Sequence, residues 1–250
     1  MKALNLILFF VLAILIGALW MTTDRMGINP VRVWLAGAGE DSPPEEPGEE
    51  VSLPPPARRG DLSVEEAIYR RRSIRSFLDE PLSLQEASQL LWAAGGKTID
   101  GLTGPTRSYP SAGGAHPLEI YLVAGRVEGL LPGIYRYSWR EHSLVRLKRG
   151  DRRADLRQAA FGQSMVGQAP ASLVFTAVPE RTTRRYGERA LRYIPMDVGG
   201  AGQNVHLQAE ALGLGTVIVG AFNDEALKSV LSLGAAEAPY YVMPLGRPSR

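Results

Sequence analysis

Nineteen residues at 3–21, "ALNLILFFVLAILIGALWM", hold a single polar position, Asn5. Rising 1.5 Å per residue as a helix, the run reaches about 28 Å, enough to cross a bilayer. It predicts a membrane anchor at 1–21. The competing reading is a cleaved signal peptide, but its apolar core would run only roughly 7–15 residues and end in a small-x-small site. Lys2 ahead of the run favours an inward N-terminus and an extracytoplasmic domain, while Arg25 and Arg32 beyond it pull the other way. The pattern then collapses. "EDSPPEEPGEEVSLPPPARR" at 40–59 holds six acids and six prolines and too little apolar surface for a core. Residues 22–59 therefore read as a stiff solvated tether, and 60–250 as the folded domain.

Periodicity returns after Gly60. "SVEE" at 63–66 has the form of a capping box and opens a helix that carries on into "YRRRSIRSF" at 69–77, with Arg71 and Arg75 sharing a face and Ile74 anchoring the backbone. "SLQE" at 83–86 repeats the device ahead of a stripe of Leu84, Ala87, Leu90, Leu91 and Ala94 that stops at Gly95 and Gly96. A polar loop at 97–115 precedes the strand "LEIYLVAG" (118–125) and a hairpin of "GIYRYSW" (133–139) with "HSLVRLK" (142–148). "DRRADLRQAAFGQ" (151–163) reads as helix and "ASLVFTAV" (171–178) as a buried strand. Val198, Ala201, Val205, Ala209 and Leu212 mark a long helix ended by Gly213 and Gly215. The strand "TVIVGAF" (216–222), a short helix capped by Asn223 and the strand "YYVMPLG" (240–246) close the chain. Without a regular βαβ rhythm and with one hairpin, these elements predict an α+β fold, a mixed or antiparallel central sheet flanked by helices.

Composition sharpens this. The net charge of +2 hides an uneven split: residues 57–250 carry 25 basic and 19 acidic side chains. Only four of the 28 basic residues are lysine, and the planar arginine fork suits phosphate better than a point charge does. With no cysteine, thiolate catalysis, zinc-thiolate sites and disulfides are excluded. His116, His142 and His206 lack metal-ligand spacing, so no metal site is expected, although His116 is a candidate for substrate contact. "YRRRSIRSF" reads either as a solvated basic face or, because Ser73, Ile74 and Phe77 interrupt the charge, as the wall of an anion pocket. Nucleic acid fits less well, since no second basic cluster is interleaved with aromatics. "GGAG" at 199–202 lies on a helical stripe and reads as close packing rather than a phosphate loop. Asp197 and Glu210 read as ordinary helix acids, and Ser111 lies in no nucleophile elbow.

Four segments in order, "RRRSIRSF", "YPSAGGAHPLEIYLV" (109–123), "GQNVHLQAEALGLGTVIVGAF" (202–222) and "MPLGRP" (243–248), resemble the FMN-dependent nitroreductase superfamily, most of all its azoline dehydrogenase branch. The resemblance spans 62–248. It implies the nitroreductase-like fold and a homodimer that binds FMN, with NAD(P)H as a possible electron donor and a small-molecule or peptide-linked substrate. It assigns Arg71, Arg72, Ser73 and Arg75 to the FMN phosphate, ribityl chain and pyrimidine edge. Pro110, Ser111 and Ala112 match the loop along the flavin, often supplied by the partner subunit. Val219, Gly220 and Ala221 match the segment whose backbone amide meets the reactive edge, and Arg247 matches a C-terminal phosphate contact. Where the azoline branch has a Lys-Tyr pair, this chain has Arg185 and Tyr186. Arginine stays protonated at ordinary pH, which leaves Tyr186 as the catalytic acid/base candidate and puts azoline oxidation itself in question. A membrane anchor also departs from a soluble biosynthetic complex. A scaffold that kept the fold and lost turnover is the alternative of another class.

Overall fold

The strand β4 (Leu118–Ala124) is apolar at nearly every position because both its faces are covered. It lies at the middle of a seven-stranded sheet seen in a computed structural model, which describes residues 48–101 and 104–249. The sheet adds β1 (Glu50–Ser52), β5 (Gly133–Ser138), β6 (Ser143–Arg149), β7 (Ala171–Ala177), β8 (Gly215–Thr216) and β9 (Ala238–Gly246) in the order β1-β6-β5-β4-β7-β9-β8. Every neighbouring pair is antiparallel, the second of the two arrangements expected, and the predicted hairpin forms as β5 with β6. One apolar face packs Leu122, Leu173, Phe175 and Met243 beneath two helices, α2 (Leu84–Gly95) and α6 (Ala190–Ala211). The other packs Val123, Val174 and Val242 against α3 (Arg153–Ala159), α4 (Ser164–Gln168) and α7 (Asp224–Leu231). The other α-helices among the described residues are α1 (Val64–Arg70) and α5 (Glu180–Tyr186).

The caps separate α1 from α2. At α2, Ser83 accepts from the Glu86 N–H at 3.2 Å and Glu86 accepts from the Ser83 N–H at 2.9 Å, closing the predicted box. Removing the hydroxyl in Ser83→Ala is expected to destabilise the domain by about 1 kcal/mol, read from the denaturation midpoint at unchanged slope. At α1 only half of the motif forms: Ser63 accepts from Glu66 N–H, but the Glu66 carboxylate pairs with Arg70.

Four expectations are corrected. First, α1 stops at Arg70, so the cluster is not helical from Arg71 onward. Arg71 turns out of the helix at φ −54°, ψ 131°, and the segment is drawn into strand-like pairing beside β8, with Ile74 N–H donating to Thr216 O at 2.9 Å. Second, the loop at 97–115 contains a separate hairpin, β2 (Lys97–Gly101) with β3 (Gly104–Arg107). Third, "TVIVGAF" is strand only at its start. The chain leaves β9 after Thr216 and returns for one bridge between Val219 and Val242.

Fourth, the expected tether runs too far. Residues 48–59 are folded onto the domain: β1 pairs with β6, Leu53 is buried, and Ser88 Oγ donates to Pro54 O at 2.6 Å. His142, at φ 51° in the β5–β6 turn, ties the same spot together. Protonated at Nε2, it donates to Pro54 O at 3.0 Å, while Nδ1 accepts from the Tyr137 hydroxyl at 2.7 Å. The expected anchor at 1–21 lies outside the described residues. Among the described residues, no helix is long and apolar enough to cross a membrane.

Candidate functional site

The site is organised around α6. Glycine at 215 admits the arginine segment: a Cβ there would stand 2.7 Å from the Ile74 side chain. With Ile74 inward, Arg72 and Arg75 are exposed and Arg71 is half-buried beside His206 of α6. Burial and the Arg71 charge hold the His206 imidazole below its ordinary pKa. No carboxylate among the described residues pairs with Arg71, Arg72 or Arg75. Three unneutralised forks on one extended stretch make a ready anion cradle.

Three residues past β8 the chain runs on into Val219, Gly220 and Ala221. Val219 is buried and exchanges two backbone bonds with Val242, at 2.8 and 3.0 Å. The carbonyl of Ala221 accepts from Gln163 at 2.9 Å. Held this way, Gly220 and Ala221 are exposed, their N–H groups bond to nothing among the described residues, and the space a Cβ would take at Gly220 is open. Free donors beside open space suit the heteroatom edge of a flat ring. Arginines and amides together therefore fit FMN.

The loop of Pro110, Ser111 and Ala112 is fixed from the opposite side of α6. Ser111 Oγ donates to Asp197 Oδ2 at 2.6 Å, Ala112 N–H reaches Oδ1 at 3.4 Å, and His116 N–H donates back to Ser111 Oγ at 2.9 Å. Pro110 rests on Gly200, and Asn204 donates to Ser108 O at 2.7 Å. Buried Arg107 braces the base of the loop through Gly95 O at 2.6 Å and Leu118 O at 3.0 Å, with its guanidinium over Tyr109. Burial pushes the Tyr109 hydroxyl up to about 12. Asp197, read from sequence as an ordinary helix acid, is the clamp of this loop. It is 4% exposed, and burial raises its carboxyl above the usual range despite the Ser111 bond. Its position one residue before Val198 and four before Ala201, on the buried stripe, was the available signal.

Tyr186 accompanies this loop. Gly113 turns at φ 57°, and a Cβ there would strike the Tyr186 hydroxyl and the Arg185 guanidinium. Arg185 donates to Gly113 O at 3.1 Å, and the Tyr186 ring meets Tyr193 edge-on at 5.0 Å. Arg247 is not free for a phosphate: Glu80 and Glu86 hold it at 3.1 and 2.8 Å. His116 keeps a buried Nδ1 with no partner among the described residues, and burial lowers its pKa with Arg107 and Arg140 adding to the effect. Among the described residues no cluster of histidines and acids could hold a metal ion.

The structure thus brings the predicted residues into two groups. At 100° per residue, Gly202, which lies under Ile218, and His206 are about 140° and 180° around α6 from Asp197. The arginines and the 219–221 segment occupy one side of the helix, and the Ser111 loop with Tyr186 occupies the other. On the same scale exposed Pro195 and Gly199 lie at about 160° and 200°, toward the arginine side, and exposed Met196 lies at about 260°, between the two.

A model of the nitroreductase family matches residues 68–247. A Methanocaldococcus jannaschii protein described as a nitroreductase is 41% identical over 187 residues, covering 75% of this chain and 92% of its own length. The crystal structure of a Ralstonia eutropha protein described as a nitroreductase superposes with a TM-score of 0.70 at 30% identity, over 82% of this chain and 94% of that one. The trifolitoxin-processing protein TfxB of Rhizobium leguminosarum bv. trifolii is 30% identical over 51% of this chain, which spans about a third (35%) of that relative. With this match across the arginine segment, the Ser111 loop and the 219–221 turn, the chain belongs to the nitroreductase family of oxidoreductases.

Proposed function

We propose that the chain is an FMN-dependent oxidoreductase that works as a homodimer, each flavin held by the arginine side of one α6 and the Ser111 loop of its partner. The observation that carries this is the division around α6: one chain presents phosphate-type cations and free amides on one side and a clamped loop on the other, so a single copy offers two half-sites. The exposed strip with Met196 and Gly199 supports a second copy packing along the same helix.

FMN supplies hydride chemistry when bound. The chain's own work is binding and placement. Arg71, Arg72 and Arg75 neutralise a phosphate with little reorganisation, because no acid among the described residues must be displaced. Gly220 and Ala221 would offer N–H donors to the ring's heteroatoms, and Asp197 fixes the Ser111 loop that would lie along the flavin. In this reading the Tyr186 hydroxyl holds or delivers the proton, whereas Arg185 stays charged and anchors Gly113. The electron donor in this reading is NADH or NADPH.

Purified protein is expected to carry the visible absorbance of oxidised flavin, to lose it when NADH or NADPH is added anaerobically, and to sediment as a dimer. A colourless protein whose melting temperature does not respond to added FMN would sink the flavin reading and favour a scaffold without turnover. A flavin-loaded monomer would sink the shared site. A peptide-linked substrate is the second reading, favoured by the similarity to a trifolitoxin-processing protein and by the azoline dehydrogenase resemblance of the four segments.

A further inference from the structure

With none of residues 71–77 in its lining, a cavity of about 480 Å³ lies between the last residues of the folded N-terminal stretch, α1, α2 and the C-terminal half of α6. That volume is within the roughly 300–1,000 Å³ of ordinary ligand pockets. Leu62, Val64, Trp92, Leu207 and Leu212 give it an apolar lining, and Arg58 and Arg59 stand in its wall. Neither arginine has a carboxylate partner among the described residues. The cavity extends to Ser108, two residues before Pro110, so it adjoins the clamped loop.

We infer that this cavity binds an extended peptide in which an acidic residue neighbours an apolar one. Resting on the peptide-linked reading above, it is the anchoring groove for such a substrate. The recognition mode is visible within the chain, because α2 already reads an extended segment through its side chains. Gln89 accepts from Ala57 N–H at 2.7 Å and donates to Ala57 O at 3.0 Å, a fork that satisfies both backbone groups of one residue. Gln85 donates to Pro55 O at 3.2 Å. Elsewhere in the lining the same chemistry is left open. Among the described residues, Gln208 uses only its oxygen, toward Gln89, and Asn204 only its nitrogen, toward Ser108. Each has an unused amide atom of the kind that pairs with a peptide backbone. The Trp92 and Leu207 surfaces suit an apolar side chain, and Arg58 and Arg59 suit a carboxylate.

The probe is a fluorescein-labelled hexapeptide of alternating leucine and glutamate, titrated into flavin-loaded protein by anisotropy, with a leucine–lysine counterpart as control. Saturable binding of the acidic probe alone is expected. It should weaken about tenfold in Arg58→Ala/Arg59→Ala and more in Leu207→Asp, with flavin content unchanged in both. Equal binding of both probes, no saturation, or indifference to the arginine substitutions overturns the inference. So does conversion of a dimer to monomer by Leu207→Asp, which would show that a second copy fills the groove. The flavin spectrum is read separately. Probe binding without flavin would remove the proposed reaction and leave the groove, and flavin without probe binding would do the reverse.

Discussion

Arg71→Ala/Arg75→Ala should lower flavin affinity at least about 100-fold, since bonds to a charged group contribute about 1.5–3 kcal/mol each and 1.4 kcal/mol is a factor of ten. The protein should fold as before. Arg75 is exposed and Arg71 half-buried, no ion pair among the described residues is lost, and surface changes of this kind stay within about 0.5 kcal/mol, or roughly 2 °C in a domain this size. A fluorescence titration of the flavin-free variant beside its melting curve separates the two effects. Unaltered affinity would mean that the anion cradle lies elsewhere. Equal losses of affinity and stability would mean that the arginines hold the β8 edge rather than a ligand.

Asp197→Ala is the second large effect and acts at the other half-site. It leaves the Ser111 hydroxyl without its acceptor and frees the loop resting on Gly200. A displacement on the order of 1 Å at a reacting centre costs about 10²-fold in rate, so turnover should fall by about that factor while FMN stays bound through the arginines. Asp197→Asn should recover most of the rate, because the amide oxygen still accepts from Ser111. The same carboxylate affects stability. Burial raises its pKa in the folded chain, so the folded state holds its proton to higher pH than the unfolded state does. Its contribution is complete below the unfolded pKa and is lost as pH rises through the folded one. Asp197→Asn should therefore show a flatter decline of stability with rising pH across that window in denaturant titrations. An identical slope would clear Asp197 as its source.

These residues also show how far local pattern reaches. The sheet was legible because β4, β5, β6, β7 and β9 are apolar or alternating runs bounded by turn residues, and α2 because cap, stripe and glycine stop agree. The arginine segment was legible as chemistry but not as structure. A capped helix entering a basic run looks continuous until Thr216, more than 140 residues later, offers an edge to pair with. The stretch at 48–59 failed for the same reason. Proline and acid argue for solvation locally, while the ties that order it come from Gln89, Ser88, His142 and β6. Asp197 was hidden because a helix acid announces its role only through the loop it meets.

β1 has one more consequence, a mechanical one. It forms one edge of the sheet and β8 the other, six strand spacings or about 29 Å away at 4.8 Å each. A pull on the chain at Gly48 is met first by the three residue pairs between β1 and β6, which would have to shear together, and then by the Gln89 fork on Ala57. Tension entering from the N-terminal side is therefore spent at the far edge, and the register of Ile74 on Thr216, which aims the arginines, is shielded from it.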